Sequence, residues 1–483
     1  MAHSRYDMKR LLKLIGIIIF IALAGSWIVF HFILKQRPFA DAAGYFKQAE
    51  RRKLAPDAAG HWKHSLAALD ALARDHRPFF PVSETYDPDA YRRWCEEAEE
   101  RGRNRDPLYP AFTRNERYGW PAALQGRGWT LYALDPIVWA APSVAIIEPG
   151  RSAETAYLVR QAIEILRGPA AWRDQVFEEG AGDPMIENML WKASLLIAEG
   201  LYGLMTGDGE IYRPEMQALA RDLYRQQKEN LSLPLGKGWV GGVCCRSGWW
   251  LAQCNALGAL GLELYDRLYG RDEELEVKIG EAFRRDFLAF VKKEMTDPKT
   301  GLLYRAWHPS GPLQADTATS DFASLLSAFA LHPFDAEFAA GLYRRARPRH
   351  LKSSPLGSGE FVAEAEIADL LPGEGADCLG LDGGAGANLF LAWAATREFG
   401  DKRIFNAINQ WFTDEARPYL SGGEIRFDET NPGPSPFPGY SAGRILNMMS
   451  GWWLLGKVHL GWKTILDHDW SKNRDANGRM LNQ

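Results

Sequence analysis

Three of the five cysteines fall within eleven residues, as Cys244, Cys245 and Cys254 in Gly241-Gly-Val-Cys-Cys-Arg-Ser-Gly-Trp-Trp-Leu-Ala-Gln-Cys-Asn255. A thiolate is a nucleophile, a base and a soft partner for positive charge, so two thiols facing one space form a chemical unit. Continuous helix forbids that, because nine steps of about 100° put Cys245 and Cys254 on opposite faces. The glycines instead place Cys245 in a loop, with Ser247 as N-cap and Cys254 about two turns into the following helix. Cys245, beside a helix N-terminus and Arg246, is then the better nucleophile or base. Packing of a buried free cysteine is the competing reading for Cys244 and Cys254, and a disulfide is a third.

The surrounding elements read as helices. Residues 187–205 follow Asp183-Pro184 and end at Gly207, and residues 249–268 stop at Gly270. Both are apolar nearly all round, which predicts burial on most sides. Residues 272–294 are amphipathic, and 152–167, 214–229, 320–331, 336–346, 387–399, 402–414 and 442–458 also read as helices. Strand patterns are scarce outside pieces such as Gly423–Phe427. Buried helices alternating with amphipathic ones over residues 35–468 predict an all-α toroid of helical hairpins. Gly- and Pro-rich loops at 236–242, 355–359, 373–386 and 431–439 would form its mouth.

Composition narrows the function. With 483 residues, 46% hydrophobic and 24% charged at a net charge of −4, the chain is globular and lacks a nucleic-acid footprint. Five cysteines are too few for a disulfide-stapled scaffold. Eighteen tryptophans offer broad flat surfaces for burial or for an apolar ligand. Residues 14–34 carry no charge and span about 32 Å as a helix, enough for a bilayer core. The small residues at Ala22-Leu-Ala24 allow a cleaved signal peptide, but the apolar run continues past them, which favours a retained single-pass anchor. Arg5, Lys9, Arg10 and Lys13 before the segment outweigh Lys35 and Arg37 just after it, which puts the remainder on the periplasmic or lumenal side. Residues 1–13 are then a short tail and 469–483 a polar C-terminal tail.

Familiar motifs are missing. Gly236-Lys-Gly-Trp-Val-Gly241 matches a dinucleotide fingerprint as a string, but no strand precedes it. HExxH, Walker A and adjacent aspartates are absent, so no metal or cofactor is read.

The sequence resembles the linalool dehydratase-isomerase family. The likeness runs through Tyr45-Phe46…Gln48…Pro56-Asp57, Ser143–Pro149, Asp183-Pro184…Glu187-Asn188 and Gly200-Leu-Tyr202…Thr206-Gly207. It continues through Gln253-Cys254-Asn255, Tyr265–Gly270, Asp297-Pro298…Gly301…Tyr304…His308-Pro309 and Lys457-Val-His459. It implies an (α/α)6 barrel, a homo-oligomer, export to the periplasm, and a deep apolar site acting without cofactor on acyclic monoterpene alcohols. The family's two active-site cysteines fall on Cys245 and Cys254. Its aspartate falls on Asp70 after a one-residue shift, one tyrosine on Tyr132, and another on Tyr91 or Tyr86. The chain also departs from the pattern. The family's histidine is replaced by Ser194, a tyrosine by Phe322, and an acidic residue by Arg246. One disulfide of the family would match Cys95, but its partner position reads Gly168.

Loss of water from an allylic alcohol needs an acid at the hydroxyl and a base at a neighbouring carbon-bound proton. A carboxyl against apolar walls keeps its proton to higher pH, which suits Asp70, with Tyr132 as relay. A surface carboxylate and a core tyrosine are their plain alternatives. A thiolate would add to the alkene or stabilise the allylic cation, while the second thiol exchanges a proton. Trp191, Trp249, Trp250 and Trp307, with Ser194 and Phe322, would line the pocket, since aromatic faces stabilise cations. The expected activity is that of a membrane-anchored hydro-lyase or isomerase acting on an isoprenoid-like (terpene) alcohol or alkene. Two rivals remain: a sugar-active α/α barrel using Asp87, Asp89, Glu178, Glu179 or Asp382, and a non-catalytic anchored scaffold. Only the thiol enzyme should be sensitive to alkylation.

Overall fold

A computed structural model describes residues 42–75, 129–167, 189–232, 240–245, 250–304, 306–307, 319–347, 351–353, 359–361, 385–411, 413, 418–428 and 450–482. Residues 14–34 lie outside this set. Among the described residues no helix is long and apolar enough to cross a membrane.

Twelve helices of nine residues or more carry the fold: α1 Pro56–Asp75, α2 Trp129–Ile147, α3 Ser152–Leu166, α4 Met189–Thr206, α5 Arg213–Ser232 and α6 Ala252–Tyr269, then α7 Ile279–Lys293, α8 Asp321–Leu331, α9 Ala336–Ala346, α10 Ala385–Glu398, α11 Lys402–Trp411 and α12 Ser450–Val458. The even-numbered helices form an inner cycle. Each packs on the next, from α2 through α4, α6, α8 and α10 to α12, and α12 packs back on α2. The odd-numbered helices lie outside: α3 against α2 and α4, α7 against α6, α9 against α8, α11 against α10, and α1 against α12 and α3. Beside short helical turns, the described residues form two short antiparallel ribbons, β1 Leu351–Ser353 with β2 Gly359–Phe361 and β3 Tyr419–Ser421 with β4 Glu424–Arg426.

Local sequence explains where these helices start and stop. Ser320 caps α8 by accepting from the Ala323 N–H at 3.0 Å, and Asp335 caps α9 through the Phe338 N–H at 3.1 Å. Gly207 and Gly270 end α4 and α6 in the positive-φ conformation, at 72° and 76°, that glycine adopts without cost. Two starts differ from expectation. Helix α6 begins at Ala252 because the Trp250 N–H and C=O are both engaged by Trp307, at 2.9 Å each, in a β-bridge. Cys254 therefore sits in the first turn of α6, not two turns in. Helix α7 begins at Ile279 because Asp272 pairs with Val277, with Glu276 at a φ of 52°. Asp272 then holds that turn by accepting from the Glu274 and Leu275 N–H groups at 3.1 and 3.0 Å. The C-terminal tail is also docked: buried Asn473 donates to the Ala145 carbonyl and to Ser152 Oγ, both at 2.8 Å.

Glycines set the closest inner contact. A Cβ on Gly258 would meet Met189, one on Gly261 would meet Leu196 at 2.8 Å, and one on Gly200 would meet Leu264 Cβ at 2.5 Å. Rising residue numbers match on both helices, so α4 and α6 run parallel with Gly261 level with Ala193–Ile197. The far end of the cycle is filled by rings. Trp139 of α2 lies 5.8 Å from Phe329 of α8 and 5.9 Å from Trp452 of α12, ring centre to centre. The packing predicts that Gly200→Ala is net destabilising. The clash with Leu264 should cost about 1–3 kcal/mol, more than the roughly 1 kcal/mol that alanine contributes within a helix. A lowered urea midpoint with an unchanged slope would bear this out; an unchanged or raised midpoint would refute the tight contact.

Candidate functional site

Cys245 and Cys254 meet. Their sulfurs are 3.0 Å apart, beyond the about 2.05 Å of a disulfide and close enough for the S–H of one to donate to the other. Cys254 is buried, and Cys244 and Cys245 are half-buried. One side chain brings the loop to the helix. Asn255, next to Cys254 on α6, accepts from the Val243 N–H at 2.7 Å and donates to the Val243 carbonyl at 2.9 Å. Gly242 allows this approach, because a Cβ there would lie 2.6 Å from Asn255 Oδ1. Helix α5 holds the loop from outside: Gln227 donates to the Gly241 carbonyl at 2.5 Å and Asn230 to the Gly242 carbonyl at 2.9 Å.

A second polar pair lies deeper. Ser194 Oγ of α4 donates to Asp135 Oδ2 of α2 at 2.8 Å, and both residues are buried. Burial pushes the Asp135 carboxyl up to about 8, against the opposing effect of the Ser194 hydrogen bond, so it keeps its proton at neutral pH. The pair faces the interior of the cycle. On α4, Lys192 reaches outward to Asp222 of α5, and Ser194 lies about 160° around the helix from it. On α2, Asp135 lies one turn before Trp139, which reaches across the interior to Phe329. The parallel register, with Leu196 at Gly261 and Leu264 at Gly200, places Ser194 level with Ala259, five residues beyond Cys254, so the pair lies about 8 Å deeper than Cys254 at 1.5 Å per residue.

The other anticipated residues distribute around these two pairs. Phe322 is buried in the first turn of α8, seven residues and two turns before Phe329, on the same interior stripe. Trp250 is buried immediately before the Cys254 helix and is joined through its backbone to buried Trp307. Trp191 points to the flank, where its indole N–H donates to the Leu166 carbonyl at the end of α3 at 2.8 Å. The backbone of Tyr132 lies on α2, one turn before Asp135. The backbone of Asp70 lies on α1, whose start is tied to Glu148 beyond the end of α2 by the Leu54 N–H at 2.6 Å. That puts the later part of α1 at the thiol end. Tyr86, Tyr91, Trp249, Arg246, Ser247, Cys95, Gly168, Asp87, Asp89, Glu178, Glu179 and Asp382 lie outside the described residues.

Asp135 is a site residue that the sequence pattern did not single out. Its signal was present: a lone carboxylate within the apolar helix Trp129-Thr-Leu-Tyr-Ala-Leu-Asp-Pro-Ile-Val-Trp139, where burial needs a reason.

Among known proteins, the family described as linalool dehydratase/isomerase matches residues 164–431. Solved structures share more remote likeness. An unsaturated glucuronyl hydrolase from Bacillus sp. GL1 is 12% identical, covering 86% of this chain and 98% of its own at a TM-score of 0.45. The Lin0763 protein from Listeria innocua is 13% identical, covering 68% and 86% at a TM-score of 0.41.

The clamp predicts a measurable role for Asn255. Removing its side chain in Asn255→Ala leaves the Val243 amide unpaired, at a cost of about 1–3 kcal/mol. It should also slow diamide-driven cross-linking of Cys245 to Cys254 at least tenfold, read by mass spectrometry of the linked peptides. Cross-linking at the wild-type rate would show that Asn255 does not set the thiol geometry.

Proposed function

This chain belongs to the linalool dehydratase/isomerase family, and we propose that it is a cofactor-independent hydro-lyase or isomerase of an isoprenoid alcohol or alkene. The observation that carries this reading is the thiol pair, two sulfurs at 3.0 Å held by a dedicated asparagine clamp at the N-terminal end of an inner helix. A packing role needs neither the clamp nor the glycine that admits it. Two adjoining thiols can share one proton, so one sulfur is available as base or nucleophile while the other steadies its charge. In dehydration the sulfur takes a proton from carbon as the C–O bond opens, and in isomerisation it attends the allylic cation. Phe322 and Trp250 supply apolar and aromatic walls suited to a hydrocarbon chain and its cationic form. The family resemblance assigns an acid at Asp70 and a relay at Tyr132.

The finer architecture belongs to the same proposal. The cycle of six inner helices with six outside is that of an (α/α)6 barrel, with the thiols at its mouth. Residues 14–34 would anchor the barrel in a membrane, with the body on the periplasmic side and copies associating as a homo-oligomer.

The test is direct. Purified protein supplied with linalool and other linear terpene alcohols should yield dehydrated or rearranged products by gas chromatography. Cys245→Ala and Cys254→Ala should each lower turnover at least about a thousandfold while leaving the melting temperature in place. Iodoacetamide should abolish activity in step with alkylation of one of the two thiols. Wild-type turnover in both variants, or indifference to alkylation, would sink the thiol mechanism and favour carboxylate chemistry on a sugar.

A further inference from the structure

We infer that Asp135, held by Ser194, is the catalytic acid that delivers the proton to the leaving hydroxyl, in place of Asp70. The inference rests on the proposed dehydration at the thiol site and adds its proton source.

Placement is the first argument. Asp135 and Ser194 meet across the seam between α2 and α4 on the interior face of both helices, with the oxygens at 2.8 Å. The carboxyl and the thiols lie at different depths of one interior, about 8 Å apart along the axis. A separation of that order is spanned by a hydrogen bond at one end, a three-carbon allylic unit, and a near-attack sulfur contact of about 3–3.5 Å at the other.

The surroundings are the second argument. Charged side chains on the elements packed against α2 are engaged elsewhere: Lys192 with Asp222, Arg167 with Glu215, and Lys457 with Asp57. Glu199 and Glu164 are on the outward flank of α4 and on α3, beside Glu215 and Arg167. His61 is stacked on Trp453 on the α1 side of α12. The partner seen on Asp135 is a neutral hydroxyl, and a carboxyl in such a place stays protonated until a reaction draws its proton.

The step balances. The Asp135 O–H gives its proton to the substrate hydroxyl, the C–O bond breaks with its electron pair going to oxygen, and water departs. The new Asp135 carboxylate keeps the hydrogen bond from Ser194, which is worth more to a charged acceptor than to a neutral one. A proton on the carbon next to the allylic cation passes to the thiolate, and the C–H electron pair becomes the new double bond. Transfer of a proton from thiol to carboxylate through water resets the enzyme.

The test uses Asp135→Asn, which conserves shape and can still accept from Ser194. It should lower kcat by about 10²–10⁴ with less than a threefold change in KM and no change in the rate of thiol alkylation. Ser194→Ala gives an independent reading. In the wild type, kcat/KM should fall as pH rises through about 8, the pKa of Asp135. Loss of the hydroxyl removes a donor that favours the carboxylate, so this limb should move to higher pH. Infrared difference spectra should show a protonated carboxylic acid at pH 7 that disappears above pH 9 and is missing in Asp135→Asn. Turnover by Asp135→Asn at more than a third of the wild-type rate, or an unmoved alkaline limb in Ser194→Ala, would overturn the assignment while leaving the thiol reading intact. Wild-type protein inert toward every terpene alcohol would overturn the thiol reading and the acid with it, even if the infrared band is present.

Discussion

The close approach of α4 and α6 is the constraint on which the interior depends. Gly258 and Gly261 of α6 receive Met189 and Leu196 of α4, while Gly200 and Gly203 of α4 receive Leu264 and Leu268 of α6. The holes are reciprocal, so sliding one helix along the other would drive several side chains into backbone at once. Cores packed to crystal-like density resist such shifts. This fixed register sets the height of Cys254 over Ser194. A single slip of one turn would move the thiols by about 5.4 Å relative to the seam, more than proton transfer or near-attack contact tolerates.

Around that interior the protein treats its buried charges in two ways. In the walls they are neutralised by partners. Lys457 meets Asp57, the Asn409 carbonyl oxygen at 3.1 Å and the ring of Tyr45. Glu398 is held below the usual carboxylate range by His332, His459 and the Trp462 N–H, which outweigh the desolvation that pushes it up. Such sets tie inner helices to outer ones and to the C-terminal segment, and breaking one partner leaves a charge stranded. Asp135 is treated differently: it receives one neutral donor, and burial keeps its proton on. Glu199 is also pushed up, by burial and by neighbouring Glu215, but it lies on the outward flank of α4. The contrast separates a neutral carboxyl that reaches the interior from one confined to the wall.

Much of this was legible in the sequence, for identifiable reasons. Apolar patterning located five of the six inner helices but not α2, whose apolar run is interrupted by Asp135, Pro136 and Pro142; Gly207 and Gly270 marked two of their ends, because only glycine takes positive φ there without strain. The meeting of Cys245 and Cys254 was legible from the glycines that break the helix between them. The start of α6 was not, since Trp-Trp-Leu reads as a helical turn and its pairing with Trp307 is a long-range contact invisible to local pattern. The turn at 272–278 was hidden likewise, its acidic run matching a helix start while Asp272 gathered the backbone amides instead. Asp135 was not legible because the family resemblance places no site residue there and its partner lies 59 residues away on another helix.

Ser194 stands where the resemblance places a histidine, and this bears on whether the site is active or vestigial. A histidine beside Asp135 would take up charge and draw the carboxyl toward its ionised form, giving an ion pair in which the imidazolium holds the proton. A serine has no accessible charged state, so the proton remains on the carboxyl. The substitution thus moves the acid from one side of the seam to the other and leaves a proton donor in the interior. Phe322 in place of a tyrosine removes a hydroxyl but keeps an aromatic face on the same stripe of α8. A decayed site would have no reason to keep a buried, uncompensated carboxyl, which costs stability as pH rises toward its pKa. That the fold tolerates Asp135 in the same interior as an asparagine-clamped thiol pair argues for chemistry retained with its proton path rerouted.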